Sequence, residues 1–265
     1  MLYTNVHGLS IAYQRYGSGP ALVLLHGFTQ DSRVWKPQLE SLSKHFTVIA
    51  WDAPGAGLSA DPPDTFGMGD WADCLAALLD SARIQRAHVL GISWGGVLAQ
   101  EFYRRHPRYV TSLILAGTNA GWTGSFGDSI AGVRLAACMD DAALSPRDLV
   151  TKYLPGMFGD APPQNIKEEL TKIMYDVHPA GFRQMAKAIA AADTRTVLMN
   201  TSVPVLLLWG DSDKRVPVSV AHALQDKIPA AKLEIISMTG HMSNMESPGE
   251  FNKIVKDFCL EYPEK

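Results

Sequence analysis

Residues 91–96 read Gly-Ile-Ser-Trp-Gly-Gly, a serine two residues from a glycine on either side. That spacing suits a nucleophile on a sharp strand-to-helix turn, where side chains at the flanking positions would collide and the helix amino terminus lies beside the hydroxyl. The surroundings supply the turn's two arms. "AHVLGIS" (87–93) is an unbroken apolar run of strand length, and "WGGVLAQEFYRRH" (94–106) has helical character. Ser93 stands at their junction as the candidate nucleophile.

A serine hydroxyl attacks poorly at neutral pH unless a base removes its proton, and an imidazole base needs an acid to fix its tautomer. His241, in "IISMTGHMSNME", follows a strand-like run ending near Ser237 and can swing over the sheet edge. His45, His88 and His106 flank elements, and His178 and His222 fall in helical stretches. For the acid, "LLLWGDSDKRVP" offers Asp211 and Asp213 just after another buried run. Position alone leaves both open, since aspartate is also a common turn former. An oxyanion forming at an attacked carbonyl requires two aimed backbone donors. The Trp94 amide, directly after the serine, is one; the Phe28 amide, in the loop after "ALVLLHG", is the second.

These residues need a scaffold that brings separate strand ends together. The runs at 21–27, 46–52, 87–93, 111–118 and 203–210 are apolar without alternation, as in parallel strands covered on both faces. Helix-length segments at 34–45, 69–82 and 94–106 fall between them. "AKLEIIS" (231–237) adds a strand and 247–262 a closing helix, while segments 2–6 and 9–16 around His7-Gly8 read as an antiparallel hairpin at one edge. The prediction is an α/β fold with a mostly parallel sheet flanked by helices, whose ligands collect at the carboxyl ends of the strands. From 119 to 200 the pattern changes to helices punctuated by "LSP", "PGMFGDAPP" and "HPAG". Such a stretch is too long for a crossover loop. We therefore expect a core domain of residues 1–118 and 201–265 and a helical cap of residues 119–200.

Composition narrows the function. With 24 Lys and Arg against 27 Asp and Glu, the formal charge is -3, and no basic run tracks a phosphate backbone, so nucleic acid is excluded as a partner. No apolar run reaches the roughly 20 residues of a membrane helix, and the start lacks the basic and apolar regions of a signal peptide. The expectation is a soluble, cytoplasmic protein with no membrane partner. Cys74, Cys138 and Cys259 are scattered among predicted helices, which argues against a disulfide framework. No histidine or cysteine spacing suggests a metal site.

Together these pieces resemble the α/β-hydrolase superfamily along essentially the whole chain. The matching segments are "LLHGF" (24–28), "WDAPGAGLS" (51–59), "GISWGG" (91–96), "WGDSDKRVP" (209–217) and "GHMSNMESPGEF" (240–251), in the superfamily's order. The resemblance implies an α/β-hydrolase fold with the cap inserted between strands, Ser93 as nucleophile, His241 as base and Asp213, between Gly210 and Pro217, as the acid. Similar-looking epoxide hydrolases and haloalkane dehalogenases carry aspartate where this chain has Ser93. Among serine members, the stretches around 188–213 and 240–258 most resemble the 3-oxoadipate enol-lactonase group. Two features depart from that group's pattern: "DAPGAGLS" replaces D-x-R-G-x-G-x-S, and Trp94 stands where methionine is usual.

The resulting expectation is a serine esterase or lactonase that cleaves a small carboxylic ester or lactone through an acyl-enzyme, without a cofactor or metal. The alternatives are carbon-carbon bond hydrolysis of a diketone-like substrate and ligand sensing on the same fold. Trp122, Phe126, Tyr153, Met157, Phe158, Met174, Tyr175, Phe182 and Met185 are available for the cap's own core and for roofing an apolar pocket. Arg134, Arg183 and Arg195 are candidates to pair with a substrate carboxylate.

Overall fold

The computed structural model of the chain describes residues 1–228 and 230–263. Its centre is an eight-stranded sheet formed by β1 (Leu2–Val6), β2 (Leu9–Tyr16), β3 (Ala21–Leu25), β4 (Thr47–Trp51), β5 (Ala87–Ile92), β6 (Val110–Ala116), β7 (Val205–Gly210) and β8 (Lys232–Ile236). The spatial order is β1-β2-β4-β3-β5-β6-β7-β8. β1 and β2 form the expected antiparallel hairpin, β2 meets β4 antiparallel, and every later pairing is parallel.

The unalternating apolar runs follow from burial on both faces. Val23, Leu25, Ile49, Trp51, Val89, Leu113, Leu115, Leu207 and Trp209 face one apolar layer. Their neighbours Leu22, Leu24, Val48, Ala50, Leu90, Ile92, Ile114, Leu206 and Leu208 face the other. Helices Met68–Ser81, Trp94–Arg105 and Val218–Gln225 cover the first layer through residues such as Leu75, Leu79, Val97, Phe102 and Leu224. Helices Lys36–Leu42 and Pro248–Glu261 cover the second through Leu39, Leu42, Phe251, Val255 and Phe258. Side chains therefore alternate between two dry layers, and the sequence shows no polar beat.

One expected helix starts differently. Residues Ser32–Trp35 form a tight 3-10 turn before the α-helix Lys36–Leu42. Asp31 caps that turn by accepting the Arg33 amide at 2.9 Å, and Pro37, which has no N–H to give, fits the first turn of the helix proper. The three cysteines are free and buried in the helices that contain them. Among the described residues no helix is long and apolar enough to cross a membrane.

The chain leaves β4 by way of helix Met68–Ser81 and re-enters the sheet as β5 on the far side of β3. This reversal of winding direction opens a crevice between the carboxyl ends of β3 and β5, the place where such sheets bind ligands. His26-Gly27-Phe28 extends from one of these strands and Ser93 from the other. Between β6 and β7 the chain runs through helices Trp122–Phe126, Asp128–Asp141, Pro146–Tyr153, Gln164–Tyr175, Pro179–Ala191 and Arg195–Met199.

Candidate active site

Ser93 has φ 55° and ψ -118°, a left-handed conformation that a residue with a side chain adopts only under constraint. Such strain costs on the order of 1–3 kcal/mol and persists when the surroundings over-determine it. Here the Ser93 amide donates to the Ala116 carbonyl at 2.9 Å, and the Thr118 hydroxyl donates to the Ser93 carbonyl at 2.6 Å. The glycines complete the turn. A β-carbon on Gly91 would stand 2.1 Å from the Gly95 carbonyl oxygen, and one on Gly95 would stand 2.2 Å from that of Leu25. Only two bare backbones can pass this closely, so the turn tightens and the Ser93 side chain is left half-buried at its crest.

The loop after β3 lies against this turn: a β-carbon on Gly27 would come within 3.2 Å of Ser93 Cβ. His26, wholly buried, anchors the loop from below. The Ala53 amide donates to His26 Nε2 at 3.0 Å, so the ring proton sits on Nδ1, which reaches the Gly27 carbonyl at 2.9 Å. Burial pushes this imidazole below its ordinary range, outweighing the opposing Gly27 bond and the Asp52 and Asp31 charges, and the ring stays neutral. Gln30 accepts the Gly27 amide at 3.0 Å and directs its own amide at Met242 Sδ, 3.1 Å away. Among the described residues neither the Phe28 nor the Trp94 amide donates to any backbone or side-chain acceptor. Two amides without an acceptor among the described residues thus lie beside Ser93, one from each strand of the crevice.

The loops after β7 and β8 supply the other two groups. His241 Nδ1 lies 2.8 Å from Asp213 Oδ2, and both side chains are at least 95% buried. The second carboxylate oxygen of Asp213 accepts the Arg215 and Val216 amides, each at 2.8 Å. The carboxylate can only accept, so the proton between the pair belongs to His241 Nδ1, which in the neutral ring leaves the lone pair on Nε2. Asp211 is exposed, and among the described residues its carboxylate accepts only from the Ser212 hydroxyl at 2.9 Å, which assigns it to the turn.

Gly117 links this pair to the serine. A β-carbon there would lie 3.1 Å from both Asp213 Oδ2 and His241 Nδ1, one residue from the carbonyl that receives the Ser93 amide. Among the described residues the Ser93 hydroxyl makes no hydrogen bond to His241, a contact that often closes only when substrate is bound. The five residues singled out from the sequence, Ser93, Asp213, His241, Phe28 and Trp94, all emerge at the same end of the sheet.

Above the crevice the Phe28 ring stacks against Phe182 at 4.5 Å, with Tyr153 edge-on to both at 6.2 and 5.5 Å. Among the described residues these are the two rings between 119 and 200 that make ring contacts with Phe28. Met157, Phe158, Met174 and Met185 are buried, whereas Tyr175 is exposed. Trp94 points its indole into the interior, packs edge-on to Trp71 at 5.3 Å and donates to the Met185 carbonyl at 3.1 Å. The large side chain therefore ties the serine turn to helix Pro179–Ala191. Two of the candidate arginines are engaged elsewhere: Arg134 lies over the Trp122 and Phe126 rings, and Arg195 pairs with Asp193 at 2.6 Å.

Sequence reasoning passed over several supporting residues. Asp52 accepts the Ser32 and Leu58 amides, both at 2.8 Å, and pins the "DAPGAGLS" loop beneath the site. Its signal was an acidic residue at a strand end followed by glycines. Gln30 gives no such signal, because its partners lie in the backbone and in a distant methionine.

A family model described as alpha/beta hydrolase fold matches residues 20–248. The chain is 28% identical over 253 residues to 3-oxoadipate enol-lactonase 2 of Acinetobacter baylyi, covering 94% of this chain and 92% of the relative. It is also 28% identical over 264 residues to the pimeloyl-[acyl-carrier protein] methyl ester esterase of Vibrio parahaemolyticus, covering 97% and 98%. Among solved structures, a thermophilic esterase from Thermogutta terrifontis superposes with a TM-score of 0.90 at 26% identity, covering 98% of this chain and 97% of the other.

Proposed function

This chain belongs to the alpha/beta hydrolase fold family, and from that premise we propose that it is a serine hydrolase that cleaves a small carboxylic ester or lactone through an acyl-enzyme. The observation that carries the reading is the buried 2.8 Å contact between His241 Nδ1 and Asp213, set beside the strained turn that holds up Ser93. His241 Nε2 takes the hydroxyl proton as Ser93 Oγ attacks the substrate carbonyl. The oxyanion receives the Phe28 and Trp94 amides, each worth on the order of 3 kcal/mol in the transition state. Collapse of the tetrahedral intermediate breaks the carbonyl–alkoxy bond, and the leaving oxygen takes the proton from His241. Water then gives a proton to His241 as it attacks the acyl carbonyl, and collapse of this second intermediate breaks the bond to Ser93 Oγ, which takes the proton back from His241 as the acid leaves. Every proton passes through one imidazole, and the chemistry requires no cofactor.

The stretch from 119 to 200 acts in this reading as a cap. Tyr153 and Phe182 bring an aromatic surface to Phe28, which suits a small acyl group or lactone ring. The relatives named an enol-lactonase and a methyl ester esterase support this substrate class. Turnover of a panel of aryl esters, small lactones and a vinylogous 1,3-diketone tests the proposal. It expects kcat/KM above about 10⁴ M⁻¹s⁻¹ for at least one ester or lactone. Cleavage of the diketone alone, or a ligand-induced rise in Tm without multiple turnover, would contradict it.

A further inference from the structure

The loop that carries His241 is fastened on both sides to one short segment of the helical stretch. Ahead of the histidine, the Gly240 amide donates to Glu246 Oε1 at 2.7 Å, and the Gly159 amide donates to Oε2 of the same carboxylate at 2.9 Å. Behind it, the Met242 amide donates to the Met157 carbonyl at 2.9 Å. The two backbones touch between these bonds. A β-carbon on Gly240 would lie 2.3 Å from the Phe158 carbonyl carbon and 2.5 Å from the Gly159 nitrogen.

Glu246 is partly buried, and among the described residues it has no cationic partner. Burial pushes its carboxyl above the usual range against the pull of its two amide bonds, and the Asp213 charge adds to the rise. An apolar side chain in this place would avoid that desolvation. It could not accept one amide from each loop at once.

We propose that Glu246 is a positioning residue for the base, clamping Gly240 to Gly159 so that segment 157–159 forms the seat on which His241 is aimed at Ser93. The helical stretch then acts on the general base as well as on the substrate. This inference rests on His241 being the base of the proposed reaction.

The test uses the full chain with Glu246→Ala and Glu246→Gln, an aryl acetate substrate and a fluorophosphonate probe, with Ser93→Ala and His241→Ala alongside. Glu246→Ala is expected to lower kcat by about 10- to 100-fold, the scale of a small misplacement of a catalytic group, and to leave KM within about twofold. The fluorophosphonate labelling rate should fall in parallel. Glu246→Gln, whose amide oxygen keeps one of the two acceptor positions, should recover part of the loss. Where the alanine variant does not fold, the glutamine variant carries the test, again through kcat falling at constant KM. The inference is overturned if kcat stays within twofold of wild type, or falls only as far as the folded fraction seen by circular dichroism. Labelling that survives His241→Ala unchanged would instead remove the reading of the base, whatever the Glu246 variants do.

Discussion

Replacing Asp213 with asparagine turns the acid's geometry into a measurable prediction. In the native site Oδ1 sits between the Arg215 and Val216 amides, both at 2.8 Å, and Oδ2 faces His241 Nδ1 at 2.8 Å. An asparagine must choose which position its oxygen takes. Placing the NH₂ against the two backbone donors would leave both without an acceptor in a buried site, at a cost of about 1–3 kcal/mol each. The oxygen therefore keeps the amide pocket, and the NH₂ points at His241 Nδ1. A donor there forces the neutral ring proton onto Nε2, which can no longer accept from Ser93. The fold is kept while the base is held in the wrong tautomer. Loss of this kind is worth about 10⁴ in kcat, or about 5 kcal/mol of activation free energy. The assay is kcat/KM on an aryl ester at pH 7, with Tm confirming the fold and Asp211→Asn as the control. Among the described residues the exposed Asp211 carboxylate accepts only from the Ser212 hydroxyl, and its backbone bond to Ile236 does not depend on the side chain, so that variant should stay within about twofold of wild type. An Asp213→Asn enzyme within tenfold of wild type, or a larger loss from Asp211→Asn, would refute the reasoning.

Two further predictions concern the frame. Gly95→Ala places a methyl 2.2 Å from the Leu25 carbonyl and 2.5 Å from that of His26, so it should destabilise the fold by on the order of 3 kcal/mol; an unchanged denaturation midpoint would count against this close approach. Burial drives His88 down from 6.5 to about 4, so the fold favours its neutral form; stability is full above the unfolded value and is lost as pH falls from 6.5 to about 4. That shift corresponds to about 3 kcal/mol, and His88→Gln should remove this part of the acid sensitivity in denaturant titrations at pH 7.5 and 4. Identical pH dependence in the two proteins would contradict it.

What the sequence revealed depended on whether the physics was local. β3 to β7 stood out because burial on both faces removes polar residues from the run, and the hairpin because His7-Gly8 breaks two strand-like segments. The serine turn was legible for a related reason: Gly91 and Gly95 are required by contacts within a few residues and by one neighbouring strand. Asp211 and Asp213 could not be separated by position, since both follow β7. Their difference lies in which one meets the Arg215 and Val216 amides and a histidine 28 residues away. The Trp94 amide was legible from its place after the serine, but its side chain stood out only as a departure from a pattern, because the indole's partner is the Met185 carbonyl, 91 residues along the chain. Distance in sequence likewise hid the contacts of Phe28 with Tyr153 and Phe182 and the hydrogen bond from Gly159 to Glu246, 87 residues away. Contacts between the helical stretch and the sheet loops have no periodicity to announce them.

The central claim is that Ser93 becomes acylated under the control of His241 and Asp213. Intact-protein mass spectrometry after treatment with a fluorophosphonate probe, followed by peptide mapping, tests it most directly. The account predicts one adduct per chain, located on Ser93, and no adduct with Ser93→Ala, whose ester turnover should fall by about 10⁵ or more. An adduct on another residue, or a Ser93→Ala protein that hydrolyses esters within tenfold of wild type, would contradict it.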